Sequence, residues 1–289
     1  IIHAQGTALN TTLPVLTDIS SPALTTTLQA KINNKTKPLG SLGRIEDLAL
    51  KIGQILDTTD PVLTDPQMVV FAGDHGLAAR GVSAFPQDVS WQMVENFLAG
   101  GAAVSVFSRA NGIALTVVDC GVAHDFLAGL PAGTQRPGLL VRKVAGGDKG
   151  TADATLQPAM TTAQCQQALQ NGMDIVKALP GNALLLGEMG IGNTSAASLL
   201  LARLTGLDIE VCTGAGTGLD APAVQRKTAV LREVLARHPD AKAPLDALAD
   251  LGGFEIATMV GAVMQAAHER RVVVVDGFIA TSAVLVAHA

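Results

Sequence analysis

Five short aliphatic runs set the strongest limit on what this chain can become. They are MVVFAG (68–73), ALTVVDCG (114–121), ALLLGE (183–188), LDIEVCTG (207–214) and RVVVVDG (271–277). None alternates strictly between apolar and polar residues, which is the pattern of strands covered on both faces. Glycine or an acidic residue closes each run. Between them lie helical patterns: VSWQMVENFLAG, TAQCQQALQNGMDIVKAL, TSAASLLLARLTG, APAVQRKTAVLREVLARH and FEIATMVGAVMQAAHER. Strands alternating with helices predict a doubly wound, mostly parallel α/β sheet of Rossmann-like type, wound by right-handed crossovers.

The first sixty residues read differently. A helix around LTTTLQAKINN, the turn KPLGSLG and a second helix RIEDLALKIGQIL predict a small helical subdomain over 1–60, with the α/β nucleotide-binding domain over 61–289. The Gly- and Pro-rich stretch within 129–150 reads as an irregular surface loop. At 289 residues the chain is near the upper limit for one domain. Its interior must be filled by Ala, Val, Leu and Gly, because aromatics are only 3%, with no Tyr and one Trp.

Composition also removes whole classes of function. A net charge of −5 argues against a nucleic-acid-binding surface. Cys120, Cys165 and Cys212 show no CxxC spacing, which fits a reducing, cytoplasmic setting rather than a disulfide framework or zinc site. No apolar run reaches the roughly 18 residues of a membrane span. The opening IIHAQGTALN lacks the pattern of a signal peptide. The chain begins without Met and stops at VLVAHA within an apolar pattern, so residues are expected to be missing at its ends.

Ligands of open α/β sheets collect at the carboxyl ends of the strands. In GEMGIGNTSAA (187–197), Gly190 and Gly192 suit a sharp bend with positive φ, and Asn193, Thr194 or Ser195 suits a helix cap. Bare N–H groups at a helix start bind anions, phosphate above all. A tight, well-capped turn explains the same residues equally well. Neither a Walker loop nor GxGxxG is present. TGAGTGLD (213–220) is a second glycine-rich turn, leading into a helix bearing Arg226 and Lys227. Two such turns on neighbouring strands predict one crevice, with Lys227 reaching a phosphate between them; a solvated helix face is the alternative for Lys227. Glu188 suits ribose hydroxyls or a proton, or else simple helix-start electrostatics. Asp74 and His75 are sequence neighbours and point opposite ways, so no dyad is implied, and no metal-ligand set accompanies them. No serine-hydrolase elbow is present either. Phe85, Pro86, Trp91 and Met93 follow the first strand; Phe85 with Trp91 suits a wall for a flat ligand, or core packing.

KPLGSLGRIEDLA (37–49), GDHGLAARGVSAFPQDV (73–89), GEMGIGNTSAA (187–197), TGAGTGLD (213–220) and VVDGFIATSA (274–283) together resemble, in order, the nicotinate-nucleotide–dimethylbenzimidazole phosphoribosyltransferases. The resemblance runs from about Lys37 to the last residue. It implies transfer of phosphoribose from nicotinate mononucleotide to 5,6-dimethylbenzimidazole, with inversion at the anomeric carbon, in assembly of the cobalamin lower ligand. It implies Gly190, Gly192, Asn193, Thr194, Gly216, Thr217 and Lys227 around the nucleotide phosphate, and Glu188 beside ribose and base. Phe85, Met93 and Asp74 fall to the benzimidazole side. It further implies a homodimer, small-molecule substrates, and no cofactor, metal, nucleic acid or membrane partner. The family's general base is a Glu in a Gly-Glu-Gly-Ser-Gly stretch that is not among these 289 residues, which leaves Glu188 a second-choice base. A non-catalytic nucleotide-binding protein and another phosphosugar enzyme, such as an isomerase, are the rival expectations.

Overall fold

A computed structural model describes residues 12–289. Residues 1–11, to which the expectation of no signal peptide applies, lie outside the described residues. Helices α1 (Pro22–Asn33) and α2 (Arg44–Ile55) come first and pack on each other. Ser21 caps α1 by accepting from the Leu24 N–H, and Pro22 occupies the first turn, where its missing N–H costs nothing. The intervening KPLGSLG turn is pinned by Lys37 Nζ donating to Glu46 Oε1 at 2.8 Å.

The chain then runs through β1 (Gln67–Gly73), α3 (Val89–Leu98), α4 (Ala103–Ala110), β2 (Ala114–Gly121) and β3 (Leu139–Val141). It continues through α5 (Thr162–Ala178), β4 (Ala183–Met189), α6 (Asn193–Thr205), α7 (Ile209–Cys212), α8 (Ala221–Arg237), α9 (Pro244–Leu251), α10 (Phe254–His268), β5 (Val272–Val274) and α11 (Phe278–His288). The five strands form one parallel sheet in the order β3-β2-β1-β4-β5. This is the doubly wound α/β architecture expected.

The central strand shows why its sequence carries no alternation. Val69 and Phe71 point into one core layer, shared with Leu169 of α5, Leu199 of α6 and Met259 of α10. Val70 and Ala72 point into the other, with Val94 and Phe97 of α3. Side chains alternate between faces, and both faces are buried, so the run must be apolar throughout.

Two expectations fail. LDIEVCTG is not a strand: Ile209–Cys212 is a single helical turn. Ile209 and Cys212, three apart, turn inward, while Val211 is 73% exposed. β5 already occupies the edge of β4 where that run would have paired. The 129–150 stretch is not wholly irregular, because β3 within it pairs with β2 as a short edge strand.

Candidate active site at the crevice between β1 and β4

The sheet order reverses between β1 and β4: β2 and β3 lie on one side of β1, β4 and β5 on the other. Open α/β sheets bind ligands at such a switch point. β4 ends at Met189, and Gly190-Ile191-Gly192 carries the chain into α6. Gly192 has φ +97°, the left-handed region that favours glycine. Gly190 does not share that conformation, contrary to expectation. Its requirement is space, since a Cβ there would lie 2.2 Å from the Gly73 carbonyl oxygen.

The expected side-chain cap is also absent. Gly192 is the N-cap of α6, and no side chain caps the helix start. The Asn193 amide instead donates to Glu188 Oε2. The Ile191 N–H donates to Ser90 Oγ at 3.1 Å, tying this turn to α3. The positive end of α6 therefore faces the crevice with no acidic residue in its own first turn.

The second glycine-rich turn follows α7 rather than a strand, yet it closes over the first. One cleft is lined by Val82, Ser83, Gly190, Ile191, Gly192, Asn193, Thr194, Ala215, Gly216, Thr217 and Leu219. Lys227 reaches it from α8. Its Nζ donates to Thr194 Oγ1 at 2.9 Å and to the Gly214 carbonyl at 3.4 Å. The solvated-face alternative fails, because Ala223, Lys227, Leu231 and Val234 form the buried stripe of α8. Lys227 is 1% exposed and has no carboxylate partner among the described residues. Burial alone pulls its ammonium down to about 8.

Carboxylates gather on the other side of the same turn. Asp74 Oδ2 accepts from the Ala123 N–H at 2.8 Å, while Oδ1 is buried without a partner among the described residues. Burial raises the Asp74 carboxyl above its ordinary value. His75 turns away from Asp74, and its Nε2 lies 2.6 Å from Glu255 Oε1. Burial pulls the His75 imidazolium down, but the charge and hydrogen bond of Glu255, with the charges of Asp74 and Glu188, outweigh it and the value ends above normal. Glu188, half-buried, is pushed up to about 7 by burial and then by the Glu255 charge. Glu255, in the first turn of α10, lies 180 positions from His75, and no local pattern marks it. Ser90 escapes a reading of the sequence for the same reason.

The benzimidazole side is less well formed. Trp91 stacks on His124 with ring centroids 4.8 Å apart, and Phe126 meets His124 edge-on at 4.9 Å. Trp91 packs against the layer around Val94 as well. Met93 packs against the layer around Val94, and Phe85 is 47% exposed. Neither Phe85 nor Met93 lines the glycine-rich cleft. A larger cavity of about 650 Å³ lies at the ends of β2 and β3, lined by Asp119, His124, Phe126 and Lys143 among others. Among the described residues no group of three His, Cys, Asp or Glu side chains is placed to hold a metal, and no helix is long and apolar enough to cross a membrane.

Residues 19–289 match the family described as Phosphoribosyltransferase. A nicotinate-nucleotide–dimethylbenzimidazole phosphoribosyltransferase of Variovorax paradoxus (strain S110) is 66% identical over 280 residues, 97% of this chain and 77% of the relative. Its counterpart from Dechloromonas aromatica (strain RCB) is 55% identical over 278 residues, 93% of this chain and 77% of the relative. The crystal structure of CobT from Thermus thermophilus superposes with a TM-score of 0.84 at 36% identity, covering 92% of this chain and 78% of that one.

Proposed function

The chain belongs to the nicotinate-nucleotide–dimethylbenzimidazole phosphoribosyltransferase family, and from that membership we propose that it moves phosphoribose from nicotinate mononucleotide to 5,6-dimethylbenzimidazole. The products are α-ribazole 5′-phosphate, the nucleotide of the cobalamin lower ligand, and free nicotinate. The same names favour this reading over a non-catalytic nucleotide-binding protein. One observation carries the assignment of the site: among the described residues Lys227 is buried with no carboxylate partner, beside a helix start that no side chain caps. A buried ammonium with no counter-ion is costly unless a ligand supplies the charge, and a phosphoryl group at the start of α6 does so.

The roles follow from chemistry. Gly190, Gly192, Asn193, Thr194, Gly216 and Thr217 surround the phosphate, with Lys227 beneath it. Breaking the C1′–N bond builds positive charge on the ribose. Glu188 offers a preorganised carboxylate against that charge. The leaving nitrogen is already cationic, so nicotinate departs as a neutral pyridine ring. The acceptor nitrogen approaches C1′ from the opposite face, which accounts for inversion. The segment carrying Phe85 and Met93 borders this face, because Ser90 ties α3 to the phosphate turn. Asp74, buried with one oxygen unpartnered among the described residues, stands on the same side as a group that can accept from the acceptor base.

The protein acts in the same proposal as a cytoplasmic homodimer. Leu42, Ile45 and Leu48 leave an apolar stripe at the start of α2 that is 50–63% exposed, which favours an assembly that covers it. Incubating the full-length chain with nicotinate mononucleotide and 5,6-dimethylbenzimidazole, and following free nicotinate by chromatography, tests the reaction. Base-dependent release supports it; nucleotide binding without release overturns it.

A further inference from the structure

The buried His75–Glu255 pair has no place in phosphate binding or in contact with the acceptor base, yet it sits under both. The His75 side chain lies against the phosphate turn: a Cβ built on Gly192 would stand 3.3 Å from His75 Cβ, and one on Gly190 would stand 3.5 Å from Cδ2. On its other side the ring meets the start of α10, where a Cβ on Gly253 would fall 2.4 Å from Cε1. The ring is thus in close contact with the turn on one flank, and on the other only a residue without a side chain fits beside it. Its Nε2 is fixed to Glu255 Oε1 at 2.6 Å, and both residues are buried, at 2% and 0%.

The charges around this ring come from every element packed on it. Asp74 belongs to the same segment, Glu188 ends β4, and Glu255 begins α10; all three act on His75. Cys120 of β2 lies near Glu255 and is kept a neutral thiol by burial. No lysine or arginine among the described residues pairs with Asp74, Glu188 or Glu255. Among the described residues His75 is therefore the one basic side chain paired within a cluster of three carboxylates. Without it, the Glu255 charge would act on Glu188 unopposed by any cation among the described residues.

We propose that His75 is a positioning residue for Glu188: locked to Glu255 beneath the Gly190–Gly192 turn, it holds that carboxylate away from Glu188 and opposes part of its charge there. This rests on the reading of the cleft as the nucleotide site. Glu255 is the anchor of the device and touches no reacting atom. A second consequence is mechanical. The ring that sets the charge also supports the phosphate turn, so phosphate binding and the state of Glu188 are coupled through one side chain.

The test does not depend on turnover. With 13C-carboxyl-labelled glutamate in the full-length chain, the Glu188 signal is assigned by its loss in Glu188→Gln and titrated with pH. His75→Gln is expected to raise the Glu188 midpoint by about 1 pH unit or more, because the Glu255 charge is then uncompensated. Adding Glu255→Gln is expected to return it toward the wild-type value. A purely structural His75 would produce no such reversal. In wild type, the 15N shifts of the His75 ring are expected to show the imidazolium at neutral pH; this second measurement needs no variant. A neutral His75, an unmoved Glu188 midpoint in His75→Gln, or a shift that persists in the double variant overturns the inference. Nicotinate release by the wild type is followed in parallel, so failure of the transferase reading is seen separately.

Discussion

Replacing Lys227 by Met keeps the length and apolar stem of the side chain and removes only its charge. Without a bound anion, the protein holds that charge at a cost. The drop of the ammonium from 10.5 to about 8 corresponds to about 3 kcal/mol against the charged form, as an upper figure. The sign is opposite to that of a salt-bridged lysine. The folded value lies below the unfolded one, so the penalty is fully present below about pH 8 and disappears as pH rises through 10.5. Lys227→Met is therefore expected to raise the melting temperature of the ligand-free protein at neutral pH by a few degrees. It is expected also to lose the charge-assisted bonds to phosphate, worth about 1.5–3 kcal/mol, which weakens nicotinate mononucleotide by roughly 10- to 150-fold. Calorimetric titration measures the affinity and thermal unfolding the stability. In wild type the affinity should fall as pH rises above about 8, as the free ammonium loses its proton. That limb should vanish in Lys227→Met, and dimethylbenzimidazole binding should change far less than nucleotide binding. Nucleotide affinity left unchanged, or equal losses for both ligands, would refute the phosphate role.

Gly190→Ala must push a Cβ toward the Gly73 carbonyl, 2.2 Å away, so both stability and nucleotide affinity should fall, the former by about 1–3 kcal/mol; an unchanged melting temperature contradicts the packing described. Glu188→Gln keeps the Asn193 contact possible but removes the charge. Turnover should drop by about 10²–10³, well beyond the loss of nucleotide affinity, and a turnover loss under about tenfold would place the key electrostatics elsewhere. Phe85→Ala removes a 47% exposed ring, so stability should move by no more than about 0.5 kcal/mol while KM for the acceptor base rises; an unmoved KM removes Phe85 from the acceptor side.

The parts of this fold that are legible in the sequence are those buried on two sides. β1, β2 and β4 announce themselves as unbroken apolar runs because each lies between two helical layers. LDIEVCTG misleads because β-branched residues are common both to strands and to a helical turn that buries Ile209 and Cys212. β3 hides because three edge residues in a Gly- and Pro-rich stretch carry too little apolar surface to stand out. The site divides in the same way. Its backbone part, the two glycine-rich turns, is local and can be read directly. Its electrostatic part is not local: Glu255 meets His75 across 180 positions, Lys227 meets Thr194 across 33, and Ser90 meets Ile191 across 101. Nothing in a helical stripe at Ala223, Lys227 and Leu231 tells a buried lysine from an exposed one until a partner is placed beside it.

That separation has a functional logic. The cleft keeps its cation and its anions apart: Lys227 has no carboxylate partner among the described residues, while Asp74, Glu188 and Glu255 surround a single imidazole. Direct pairing of Lys227 with Glu188 would relieve both groups and would make the ligand-free protein more stable. It would also leave nothing for a ligand to satisfy. The arrangement instead suits a molecule with opposite charges at its two ends. A mononucleotide with an anionic phosphate and a cationic pyridinium nitrogen fits this need, and its charge at the ribose grows as the glycosidic bond breaks. A ligand with phosphate alone relieves only Lys227, so a simple sugar phosphate should bind more weakly than the pyridinium nucleotide. The discrimination should shrink in Glu188→Gln, where the anionic half of the cleft has lost its charge, and comparing the two ligands by calorimetry on that variant measures how far selectivity comes from the carboxylates.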